Sequence, residues 1–164
     1  MSQPFFNVLF LCTHNSARSI LGEAILNHLG RGRFQAFSAG SQPSGQVNPL
    51  ALDELRRMGL STDAYRSKSW DEFAVPGAPR MDFVFTVCDN AAKEACPVWP
   101  GHPVTAHWGV EDPAAVTGSE EQRRQAFRAA ALVLWRRIEL FLSLPFDKLD
   151  RMARSAMVAD IGQR

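Results

Sequence analysis

The sequence predicts an α/β fold: one domain with a four-stranded, mainly parallel sheet flanked by helices. Three observations carry this. Short apolar runs at Phe5–Leu11, Phe34–Ser38, Asp82–Val87 and Val104–His107 have strand length. Stretches with helical periodicity lie among them, and strands alternating with helices are the pattern of a parallel sheet. The chain has 164 residues, which suits a single domain of about 100–150 residues.

The elements follow in order. Phe5–Leu11 (FFNVLFL) is nearly continuous in apolar residues, as a strand buried on both faces requires. After Cys12 the chain turns polar through Thr13, His14, Asn15 and Ser16. Ile20, Leu21, Ala24, Ile25 and Leu29 then mark one face of a helix, with Gly30 as its stop. Phe34–Ser38 is a short strand closed by Gly40 and a Ser/Pro/Gly loop. Asn48-Pro49 reads as an N-cap and first-turn proline, and that helix continues through Leu52, Leu55 and Met58 to Gly59. Gly77 and Pro79 break the chain before Asp82–Val87. From Cys96 to Pro113 the sequence is mostly loop around Val104–His107. Ser119 with Gln122 forms a capping box, opening a helix with Phe127, Ala131, Leu134, Ile138 and Phe141 inward, which ends near Pro145. Residues 152–164 show no dominant pattern and are assigned no element.

Composition narrows the function classes. The formal charge is +1, which gives no electrostatic drive toward nucleic acid or an acidic membrane, so neither is expected as a partner. No stretch approaches the roughly 20 apolar residues of a membrane span. The Phe5–Cys12 run lacks the basic flank and cleavage site of a signal peptide, so a cytoplasmic location is expected. Three cysteines are present. In a reducing compartment an odd count argues against a disulfide framework, leaving catalytic, metal-binding or buried thiols.

In parallel sheets, ligands bind at the carboxyl ends of the strands. Cys12 and Cys88 both directly follow expected strands, which puts two thiols on one rim. In Cys12-Thr13-His14-Asn15-Ser16-Ala17-Arg18-Ser19, five residues separate the cysteine from an arginine that opens a helix. A loop this short can point several backbone N–H groups into one concavity, reinforced by the helix dipole. Arg18 adds a planar fork matched to a tetrahedral oxyanion. The same field favours the Cys12 thiolate. Ser19 is placed to donate to the sulfur, and Asn15 to bond the loop backbone. On residues alone, a small buried cysteine beside an exposed arginine remains the alternative.

The strand and the Cys12–Ser19 loop closely resemble the phosphate-binding loop of the low-molecular-weight protein tyrosine phosphatase fold. Within that fold, Phe37-Ser38-Ala39-Gly40, Asn48-Pro49, Val87-Cys88-Asp89 and His107-Trp108-Gly109-Val110-Glu111-Asp112-Pro113 resemble the arsenate reductase branch. The resemblance runs from about residue 5 to 142, so residues 1–145 are expected to form the catalytic domain and 146–164 a tail of unknown role.

What the resemblance implies is a thiol cascade. Cys12 attacks arsenate held by residues 13–19, including Ala17 and Arg18, and Asp112 is the general acid. Cys88 and then Cys96 resolve the intermediate through disulfides. Regeneration falls to an external thiol reductant, thioredoxin or glutathione with glutaredoxin, with no tightly bound cofactor. Seven residues separate Cys88 from Cys96, against about six in many thioredoxin-coupled members, an extension that costs little loop-closure entropy. The alternative within the fold is a phosphatase acting on phosphate monoesters.

Cys88, Cys96, His102 and His107 offer four zinc donors, but the gap of seven suits a structural zinc poorly. Asn15, Glu23 and Ser38 resemble part of a potassium site found in some reductases. The Ser67–Asp71 stretch holds no clear acidic match for the remaining ligand, so no metal is expected. His14 either tunes Cys12 or is a tolerated polar residue. Trp99 and Trp108 are expected to pack, and Arg123, Arg124, Arg128, Arg136 and Arg137 to form a solvated helix face.

Overall fold

The computed structural model describes residues 5–89, 99 and 101–164. Its sheet has four strands, β1 (Phe6–Cys12), β2 (Phe34–Gly40), β3 (Phe83–Thr86) and β4 (Val104–His107), in the order β2-β1-β3-β4. Every pairing is parallel. The central strand is the one with the continuous apolar run, and Val8 through Leu11 are fully buried. Successive side chains leave opposite faces, so Val8, Phe10 and Cys12 join one core cluster while Leu9 and Leu11 join the other. The chain crosses from β1 to β2 on one side and returns to β3 on the other. That reversal opens a crevice at the carboxyl ends of β1 and β3.

Four α-helices are described: α1 (Arg18–Leu29), α2 (Pro49–Arg57), α3 (Glu120–Leu142) and α4 (Arg151–Ile161). Asn48 caps α2 through its side chain, accepting from Leu50 N at 2.9 Å. Ser119 and Gln122 cap α3 reciprocally. Gly59 ends α2 with a positive φ of 81°, a conformation glycine adopts without strain. The α1 pattern is broader than one face, since every residue from Ser19 to Leu26 is buried. Gly22 is part of that packing: a Cβ there would lie 2.8 Å from Phe10 Cδ1.

All four helices contribute to the larger core cluster. The opposite face is covered, among the described residues, by a 3-10 turn at Trp70–Phe73 together with Met81 and Trp99. Trp99 and Trp108 therefore pack, as expected; Trp108 stacks on Phe85 with ring centroids 4.0 Å apart.

Two expectations change. The chain beyond Pro145, given no element from sequence, folds into a 3-10 turn and then α4, which Asp150 caps through Ala153 N. Only Val158 and Ile161 of α4 are buried, too few for a visible periodic stripe. Arg137 is not on a solvated face. It is 8% exposed and donates to Gly109 O at 2.9 Å and Arg164 O at 3.3 Å. With Trp108 Nε1 donating to Val158 O at 2.9 Å, it ties the chain terminus to the segment after β4.

Candidate active site at the carboxyl edge of the sheet

Cys12 ends β1 and Arg18 begins α1, and the five residues between them form a tight loop. Its carbonyls face outward. Thr13 O accepts from Gln42 N, His14 O from Ser44 N and Ser16 O from Asn48 N. A trans peptide points its N–H opposite its C=O, so the N–H groups of His14, Asn15 and Ala17 are directed to the inner side. The α1 N-terminus has no side-chain cap, which leaves its first N–H groups to the same concavity. Gly40, across from Cys12 in the register, is required by close approach: a Cβ would lie 2.4 Å from Thr13 O.

Asn15 holds the loop, though not through the loop's own backbone as the sequence suggested. It is fully buried with a positive φ of 48°. Its Nδ2 donates to Ser19 Oγ at 2.8 Å and its Oδ1 accepts from Lys68 N at 2.9 Å. Ser19 Oγ thus accepts from Asn15 and fixes its side chain against the loop. His14 is exposed and Ser16 half-buried.

Arg18 bridges the loop to the segment after β4. Its Nη1 donates to Val110 O at 2.9 Å, and Nη2 lies 3.7 Å from Asp112 Oδ2. Its Nε is buried and has no hydrogen-bond partner among the described residues. Asp112 is exposed at the rim and caps the turn Pro113–Ala115 by accepting from Ala114 N. The structure therefore brings Cys12, Arg18 and Asp112 to one edge.

Cys88 belongs to the same edge. Cys12 and Cys88 are both buried thiols, and Thr13 Oγ1 and Cys88 Sγ share a hydrogen at 3.6 Å. A hydrogen bond with Cys88, then burial, push the Cys12 thiol above the ordinary cysteine range; the Arg18 charge and the Thr13 N–H pull the other way and are outweighed. The lowering of Cys12 expected from the loop field is outweighed by its Cys88 neighbour and by burial. Cys96 lies outside the described residues. Of the remaining zinc candidates, His107 instead bonds Asp89 Oδ1 at 2.9 Å and Thr86 Oγ1 at 2.8 Å. No cluster of three or more His, Cys, Asp or Glu occurs among the described residues.

Beneath the loop is a second buried polar cluster that sequence reasoning only partly found. Ser38 Oγ donates to Glu23 Oε1 at 2.5 Å. Lys68 Nζ donates to Arg66 O at 3.0 Å and Ser38 Oγ at 3.4 Å, and lies 3.9 Å from Glu23 Oε1. Burial pushes the Glu23 carboxyl up and the Lys68 ammonium down, and each partner's charge opposes the shift. Asn15, Glu23 and Ser38 do not fit a potassium ion here, because the ammonium of Lys68 already stands against Glu23 and Ser38. The only sequence signal was negative, a basic residue where an acidic ligand was sought.

No described helix is long and apolar enough to cross a membrane. The sequence profile of the low molecular weight phosphotyrosine protein phosphatase family matches residues 7–152. A relative named arsenate reductase in Shouchella clausii is 33% identical over 134 residues, covering 82% of this chain and 93% of the relative. The thioredoxin-dependent arsenate reductase of Corynebacterium glutamicum superposes with a TM-score of 0.58 at 26% identity, over 85% of this chain and 65% of that one. The low molecular weight protein tyrosine phosphatase of T. tengcongensis shares the fold, with a TM-score of 0.66 at 23% identity over 82% of this chain and 95% of that one. A profile matched from the first strand into α4, and a relative at this identity over most of both chains, place the protein in the low molecular weight phosphotyrosine protein phosphatase family.

Proposed function

We propose that this protein reduces arsenate to arsenite, with Cys12 and Cys88 as the electron donors. The contact between two buried thiols beside Arg18 carries the reading. Hydrolysis of a phosphate ester needs one nucleophilic thiol; a two-electron reduction needs a second within reach of the first. The likeness to relatives named arsenate reductases supports the same conclusion.

Each step balances. The N–H groups of the loop and Arg18 hold the oxyanion; the Cys12 thiol passes its proton to one of the arsenate oxygens, and Arg18 offsets the charge of the resulting thiolate. The Cys12 thiolate attacks arsenic, Asp112 protonates the departing oxygen, and water leaves from a Cys12–arsenate adduct. The Cys88 thiol then passes its proton to an arsenate oxygen, and its sulfur attacks Cys12 Sγ. The sulfur–arsenic bond breaks with its electron pair on arsenic, so arsenic(V) becomes arsenic(III) and leaves as arsenite. The sulfurs are oxidised to a Cys12–Cys88 disulfide. Cys96 next attacks Cys88, freeing the Cys12 thiolate and leaving Cys88–Cys96. A dithiol of the thioredoxin type reduces that disulfide and is itself oxidised.

The test is arsenite formation by pre-reduced protein, with thioredoxin, thioredoxin reductase and NADPH in one tube and glutathione with glutaredoxin in another. Sustained arsenite in the first tube is expected. Arsenite only in the second keeps the reduction and replaces the reductant. No arsenite in either, with steady hydrolysis of an aryl phosphate, would overturn the reading in favour of a phosphatase.

A further inference from the structure

The cluster under the loop has no part in the steps above, yet it joins three pieces that border the loop. Glu23 comes from α1, Ser38 from β2 and Lys68 from the segment between α2 and β3. Lys68 is 8% exposed, Glu23 8% and Ser38 fully buried. An ammonium group has three hydrogens to donate. Three acceptors stand around this one: Arg66 O, Ser38 Oγ and, at ion-pair distance, Glu23. The same residue grips the loop through its backbone. Its N–H donates to Asn15 Oδ1 at 2.9 Å, and its carbonyl accepts from Gly40 N at 3.0 Å. Gly40 in turn lies against the Thr13 carbonyl. Asn15 is the loop residue held at positive φ, and a non-glycine residue keeps that conformation only when its surroundings fix it.

We propose that Lys68 is a positioning residue whose ammonium serves as a built-in monovalent cation, holding Glu23 and Ser38 together beneath the oxyanion loop. A buried carboxylate without a counter-charge is costly. A tethered ammonium supplies that charge without drawing an ion from solution. The chain is therefore independent of potassium. Cutting the side chain back to Cβ opens a pocket lined by a carboxylate, a hydroxyl and a carbonyl, which suits a free cation of ammonium or potassium size. The proposal rests on reading the loop as an oxyanion site but not on arsenate reduction.

The test reads binding of inorganic phosphate by titration calorimetry, with turnover as a second readout, at constant ionic strength. Wild type is expected to bind phosphate equally in potassium, lithium or choline chloride; a potassium requirement in wild type overturns the proposal. Lys68→Ala is expected to bind phosphate about 10- to 100-fold more weakly, the scale on which outer-shell partners act. Potassium, ammonium or methylammonium should restore it saturably, and the bulkier tetramethylammonium should not. Lys68→Met, which fills the space without charge, should be weakened and not rescued. Wild-type affinity in Lys68→Met overturns the proposal, and that variant decides the matter if Lys68→Ala does not fold. Failure of rescue in a folded Lys68→Ala also overturns it. Phosphate binding that follows Lys68 in a protein that makes no arsenite would leave this proposal standing and remove only the reductase reading. A wild type that binds no phosphate removes both.

Discussion

Two buried polar clusters flank one loop, and they solve burial in opposite ways. Above it, Cys12 and Cys88 are like groups in contact, so burial and the neighbouring thiol both oppose charge and only Arg18 and a backbone N–H favour it. Below it, Glu23 faces the opposite charge of Lys68 and the hydroxyl of Ser38. Burial raises the Cys12 thiol and the Glu23 carboxyl alike. What differs is the neighbour. The lower cluster is satisfied and suited to holding a shape. The upper pair places a second thiol beside the first and is suited to forming a disulfide.

The largest effect is expected where the comparison is broken outright. Cys12→Ser removes the nucleophile and should abolish arsenite formation and aryl phosphate hydrolysis together, while phosphate binding persists. Cys88→Ala is more informative. It should stop multiple-turnover reduction in the thioredoxin assay yet spare aryl phosphate hydrolysis. It also removes the largest cause raising Cys12. Ultraviolet absorbance of the thiolate should therefore appear at lower pH in this variant than in wild type, and iodoacetamide should react faster at neutral pH.

The lower cluster makes a stability prediction. Glu23→Gln leaves the Lys68 ammonium without its counter-charge. The loss should be about 1–3 kcal/mol at neutral pH, less than the roughly 3–5 kcal/mol of a fully orphaned charge, because Ser38 and Arg66 O still accept. Burial already lowers Lys68, and removing Glu23 lowers it further. A base depressed in the fold costs stability as pH falls through its folded pKa. The gap from wild type in urea titrations should thus be small in the ordinary lysine range and widen toward neutrality. It should close again on the acid side where Glu23, raised by burial, takes up its proton. A gap that is constant with pH would mean that the pair carries no charge. Smallest is Ser119→Ala, which removes a cap far from both clusters. It should cost about 1 kcal/mol and leave phosphate affinity unchanged.

The two clusters also differ in how far the sequence disclosed them. Cys12, Arg18 and their loop are contiguous, and the strand-to-helix context made their chemistry legible. Cys88 was legible because strand ends share a rim in a parallel sheet. Asp112 stood out only through resemblance, and its 3.7 Å approach to Arg18 depends on how the segment after β4 is anchored. Lys68 was legible only as the missing acidic ligand in the Ser67–Asp71 stretch. Its partners lie on α1, β2 and its own backbone segment, with no spacing rule linking them. The α4 helix was missed because it buries only two residues, and Arg137 because its partners are carbonyls far along the chain.

The most direct test of the central claim, that the two buried thiols are the electron donors, is one turnover. Reduced Cys96→Ser protein would be mixed with arsenate and no external thiol, quenched in acid and mapped by mass spectrometry. The account predicts stoichiometric arsenite together with a Cys12–Cys88 disulfide. Arsenite formed while Cys12 and Cys88 both remain alkylatable thiols would contradict it.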